Sequence, residues 1–154
     1  MIRLGAVLLL ALTVLPAGAH AQGVTREYVI DERGRERAFS RAVATTGGKI
    51  VWLAGQTTTV DANGNSLAGD FERQTREIFR LIGERLAELG GTLADIVTMT
   101  VYIGDTRYGD RFVEIRKEYF EADRYPSSAL ITVVGFARPE ILIEIKATAV
   151  VEAD

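Results

Sequence analysis

The chain has no cysteine and a single histidine, His20, which lies in an N-terminal stretch expected to be removed. Disulfides are therefore excluded, and zinc, iron–sulfur and haem sites of the usual kinds lack their ligands. Cys–His and Ser–His nucleophile schemes fall for the same reason. Basic residues are too few for a nucleic-acid surface: 18 Lys and Arg stand against 21 Asp and Glu. Nor does any apolar run reach the ~20 residues that span a bilayer. Any acid–base chemistry must rest on Asp, Glu, Tyr, Lys or backbone groups.

What is present at the N-terminus is a patterned leader. Arg3 is followed by the apolar run Leu4 to Leu15, by the breakers Pro16 and Gly18, and by the small-x-small motif Ala19-His20-Ala21. This is the pattern of a secretory signal peptide over residues 1–21, cleaved after Ala21. The expected mature protein begins at Gln22 and is periplasmic or secreted, with no membrane attachment after cleavage. An exported chain without disulfides must take its stability from an apolar core or from association with copies of itself. Residues 22–37 read as an N-terminal arm, ending in the charged run Asp31 to Arg37 as a solvated turn, and residues 38–154 as one domain.

Within that domain the periodicities alternate between two and 3.6. Phe39 to Thr45 and Lys49 to Gly55 read as strands joined by a Gly47-Gly48 hairpin turn, and Asp61 to Asn65 as a turn-rich loop. From Phe71 to Leu89 the residues Phe71, Ile78, Leu81, Ile82, Leu86 and Leu89 recur at helical spacing, with Asp70 as N-cap and Gly90-Gly91 as the stop. Ile96 to Ile103 is a strand. Asp105 or Asp110 then opens a second helix whose buried stripe is Phe112, Ile115, Tyr119 and Phe120, ended by Tyr125-Pro126. Ala129 to Val134 and Ile141 to Val151 complete an α+β layer with helices on one face of a mixed sheet. The sheet's other face is also apolar, and a symmetric oligomer would bury it.

One carboxylate stands out. Glu144 sits inside Ile141-Leu142-Ile143-Glu144-Ile145, the most apolar stretch of the mature chain. Burial of a carboxylate favours its protonated form, which suits such a group to proton transfer near neutral pH. The competing reading is structural: residues 142, 144, 146 and 148 form the more polar face of an alternating strand, where Glu144 would pair with a neighbouring base.

Several pieces in order carry a resemblance. They are Lys49-Ile50-Val51-Trp52-Leu53-Ala54-Gly55-Gln56, the helix end Leu86-Ala87-Glu88-Leu89-Gly90-Gly91, Leu93-Ala94-Asp95-Ile96-Val97, Arg116-Lys117-Glu118-Tyr119-Phe120, Tyr125-Pro126, and Arg138-Pro139 before Ile143-Glu144-Ile145-Lys146-Ala147. Over residues 38 to 151 the chain resembles the Rid family, also called YjgF, reactive-intermediate deaminase A or endoribonuclease L-PSP. That resemblance implies a chorismate-mutase-like α+β fold, a six-stranded mixed sheet with two helices on one face. It also implies a homotrimer with a small-molecule ligand at each subunit interface, and hydrolysis of imines or enamines to a carbonyl compound and ammonia without metal or cofactor. Its glutamate on the last strand, which positions the attacking water, matches Glu144, and its cleft glycine matches Gly55. Phe39 stands where a tyrosine is usual, keeping the pocket wall and losing the hydroxyl. The arginine that holds the substrate carboxylate falls on Ser128, and a serine hydroxyl does not replace a charged pair contributing ~1.5–3 kcal/mol. The resemblance thus leaves a deaminase with a non-standard substrate, a non-catalytic ligand-binding or chaperone-like trimer and, least favoured in an acidic chain without mature histidine, a ribonuclease.

Overall fold

The computed structural model describes residues 23–153, so the expected leader lies outside the described residues. The elements run β1 (Thr25–Val29), α1 (Glu32–Arg37), β2 (Ala42–Thr46), β3 (Lys49–Trp52), α2 (Phe71–Ala87), β4 (Ile96–Ile103), α3 (Tyr108–Tyr119), β5 (Ser127–Thr132) and β6 (Ile143–Val151). The six strands divide between two sheets. β1 and β2 form an antiparallel pair, and the other four run β3-β6-β4-β5, with β4 and β5 parallel and the remaining neighbours antiparallel.

The α2 helix forms where its spacing predicts. The Asp70 carboxylate accepts from the Arg73 amide at 3.0 Å, and Gly90 adopts φ 81° just beyond the last turn. Its apolar stripe of Phe71, Ile78, Phe79, Ile82 and Leu86 is buried against one face of the four-stranded sheet, each large side chain contributing about 1.5–3 kcal/mol. α3 buries Phe112 and Ile115 beside it, and the Phe79 ring stacks on Tyr119 at 4.4 Å.

Two expectations are corrected at the N-terminal side. The charged run after β1 is a short helix and not a solvated turn. Asp31 caps it by accepting from the Gly34 amide at 2.8 Å, Glu32 lies in its first turn, and Arg35 and Arg37 lie in its last turn, where cations suit the helix dipole. Gly47 and Gly48 both have positive φ, but the strands they join belong to different sheets, so they make a transfer and not a hairpin. Phe39 precedes β2 and follows Ala38, which closes α1 in the left-handed region at φ 55°.

The start of β6 is held by a buried amide. Gln74 on α2 accepts from the Leu142 amide at 2.9 Å and donates to the carbonyls of Leu67 and Glu140 at 3.0 and 2.8 Å. This latch fixes the chain two residues ahead of Glu144. Replacing Gln74 with Leu strands three backbone groups, and the denaturant midpoint is expected to fall by the equivalent of about 1–3 kcal/mol. An unchanged midpoint would show that the latch contributes nothing.

Candidate functional site

β4 lies between β5 and β6, and its alternation assigns each neighbour's residues to a face. Met99, Val101 and Ile103 are buried against the helices; Thr100 and Tyr102 point the other way. Ser128 is in register with Met99, whereas Glu144 is in register with Tyr102. Within one chain the two therefore lie on opposite faces of the sheet.

On the open face, Glu144 is half-buried and makes no ion pair among the described residues, so the surface pairing that strand periodicity allows does not form. Its setting comes from a bulge. The Leu53 amide donates to the Ala147 carbonyl at 3.1 Å and the Gln56 amide to the Ile145 carbonyl at 2.8 Å, so Ala54 and Gly55 together oppose Lys146 alone. The carboxylate of Glu144 fills the space at Gly55. A Cβ built on Gly55 would stand 2.0 Å from Glu144 Oε1 and 2.9 Å from its Cδ. Gly55 is required by this close approach and not by a positive φ, since its backbone is not left-handed. Just beyond, Thr57 keeps a buried Oγ1 with no partner. The face around this crevice exposes Ile50, Trp52 at 77% and Ile131.

On the helix side, at the β5 edge, Phe39, Ser128, Leu130 and Val113 line a cavity of about 290 Å³ together with Arg33, Arg37 and Arg116. Ser128 is not left alone there. Arg116 reaches across from α3 and donates through Nη1 to Ser128 Oγ at 2.7 Å and through Nη2 to the Arg37 carbonyl at 2.5 Å. Its guanidinium lies 5.0 Å from the centre of the Phe112 ring. Arg116 is 3% exposed, and burial, reinforced by the neighbouring Arg37 charge, pulls its pKa down to about 10.

The four candidate residues thus fall into two pairs, Glu144 with Gly55 and Phe39 with Ser128. Arg116 was absent from the sequence candidates. A signal for it exists: at four residues after Phe112 and three before Tyr119 it falls on the buried stripe of α3, where a cation is out of place.

The fold is an α+β layer with a carboxylate crevice on one face and a basic pocket at the opposite edge. The family model described as Endoribonuclease L-PSP matches residues 31–151, and the chain belongs to that family. A RutC family protein of Pyrococcus abyssi is 27% identical over 126 residues, covering 82% of this chain and 98% of the relative. The crystal structure of YyfB, a Rid-family protein of unknown function from Yersinia pestis, is similar with a TM-score of 0.72 at 28% identity, covering 82% of this chain and 98% of that one. A YjgF-family structure from Mycobacterium tuberculosis is 33% identical with a TM-score of 0.56, covering 82% and 100%. The α+β fold with its mixed sheet is that of these relatives.

The contact at Gly55 carries a prediction. In Gly55→Ala the new methyl meets only the far end of a flexible side chain, so stability is expected to stay within about 1 kcal/mol. The Glu144 carboxylate must swing aside, and any turnover that depends on it should fall about a hundredfold. Unchanged turnover would separate the crevice from the chemistry.

Proposed function

We propose that the chain is an exported hydrolase of reactive C=N compounds, converting an imine or enamine to a carbonyl compound and ammonia, with Glu144 as the proton-transfer group. The observation that carries this is the lodging of Glu144 against Gly55, unpaired, on a face bordered by exposed apolar side chains. An iminium carbon is already electrophilic, so an oriented water and a proton acceptor suffice. Water adds to carbon while its proton passes to Glu144. Glu144 then returns that proton to the nitrogen of the carbinolamine, the carbon–nitrogen bond breaks to release ammonia as the carbon–oxygen double bond forms, and the hydroxyl proton passes to Glu144, which gives it to solvent before the next turnover.

Because Glu144 and the Ser128 pocket face opposite ways, a complete site needs a second copy. The two patches differ, so the contact that joins them is heterologous, and it makes a ring where the rotation between copies closes. A homotrimer with one small-molecule site at each boundary, as the family resemblance implies, satisfies this and buries Trp52, Ile50 and Ile131. The leader pattern supports a periplasmic or secreted setting with a mature N-terminus at Gln22.

A second reading, a trimer that binds a ligand without turnover, is favoured by Ser128 and Phe39, where the resemblance expects an arginine and a tyrosine. Ammonia release from a panel of imines decides between them. Glu144→Gln is expected to abolish release, and equal rates in the two proteins would remove the hydrolase reading. Mixing Glu144→Gln with Ser128→Phe, each inactive alone, should restore about a quarter of the sites in re-assembled rings. No recovery would place both half-sites in one chain or neither in the reaction.

A further inference from the structure

Arg116 is a buried cation with no carboxylate beside it. Among the described residues its only acceptors are a hydroxyl and a peptide carbonyl, and its Nε–H is buried without a partner. A guanidinium in that position is normally matched by a carboxylate, because desolvating an unpaired charge is costly. The cavity it lines has no acidic residue in its wall. Arg33, four residues before Arg37 on α1, makes no ion pair among the described residues, and Arg37 is paired only outward, to the exposed Asp110 at 2.5 Å. Among the described residues of one chain, the pocket therefore holds two guanidinium groups without counter-charge, one at its base and one at its rim.

From this arrangement we infer that the cavity between α1, α3 and the β5 edge is an oxyanion-binding site, with Arg116 as the anchoring cation and the Ser128 hydroxyl and Arg33 as further donors. The ligand carries a carboxylate or a phosphate, the two groups whose paired oxygens match a guanidinium fork. Residue 128 has lost the cation that the resemblance expects, and α3 supplies one from the opposite wall. That relocation sets the anion against α1, where Arg33 and Arg37 also reach it. Assigning the anion to the substrate rests on the hydrolase reading above; the binding itself does not.

A purely structural role for Arg116 is the competing account, since Nη2 donates to the carbonyl that ends α1. The test is calorimetric titration of the full mature protein with inorganic phosphate and with acetate at constant ionic strength, alongside thermal melts without ligand. Wild type is expected to bind at least one of the two saturably, the tighter one identifying the ligand's headgroup. Arg116→Met and Arg33→Ala should each weaken binding about tenfold or more. Glu144→Gln, which abolishes ammonia release on the hydrolase reading, should still bind the anion saturably because Glu144 supplies no donor, so that failure of the hydrolysis reading and failure of this one are separable. Ligand-free Arg116→Met should melt no lower than wild type, because an uncompensated buried charge is gone. Absence of binding by either anion in wild type, or wild-type affinity in Arg33→Ala together with a lowered melting temperature in ligand-free Arg116→Met, would overturn the assignment in favour of the structural role.

Discussion

The period-two alternation of β4 is the constraint from which the arrangement of the site follows. Hydrogen-bonded on both edges, β4 transmits its in–out pattern to β5 and β6, and a shift of one residue would exchange every face. The buried row of Met99, Val101 and Ile103 leaves no freedom to slip, since the opposite register would expose three large apolar side chains and bury Thr100 and Tyr102. Glu144 on the open face and Ser128 on the helix side are thus consequences of core packing. On the proposed hydrolase reading, association between copies would bring the two together as well as cover Trp52.

Much of the fold was legible because it is written in periodicity. The stripe of α2, its Asp70 cap and the alternation of β4 needed only local rules, and the structure keeps their boundaries to within two residues. At Asp31 charge alone argues for solvent, whereas the capping carboxylate and the placement of acids before bases argue for the helix that forms. The Gly47-Gly48 turn looked like a hairpin because local signals fix the chain reversal and not the partner. Which strand a segment pairs with is decided by contacts distant in sequence.

The candidate site was half legible. Glu144 was found because a carboxylate among isoleucines is anomalous in any register, and Gly55 came only with the family resemblance. What periodicity could not show is that the two touch, with Gly55 bare because the carboxylate occupies its side-chain volume. The bulge at Ala54-Gly55 creates that contact, and bulges leave no trace in an alternation count. Arg116 is the opposite case: it stands in plain view on the α3 stripe, but the sequence does not show that its guanidinium meets Ser128 and the end of α1.

Position 128 and position 116 are best understood together. A strand residue projecting between β5 and α3 and a helix residue projecting back meet in the same space, so a long cation fits from one side or the other but not from both without repulsion. With serine on the strand, the arginine on the helix finds both room and a hydrogen-bond acceptor, and its guanidinium settles between Phe112 and the end of α1. The hydroxyl thus orients the cation it faces, through a charged hydrogen bond that a larger side chain at 128 would displace. The edge is basic although residue 128 is a serine. The cation approaches from the helix layer and is fixed by two bonds, and the rim is carried by α1, an element whose six residues form only because Asp31 caps them. In the proposed anion site, recognition would therefore depend on the short charged helix as much as on the sheet, which would make the N-terminal arm part of the site.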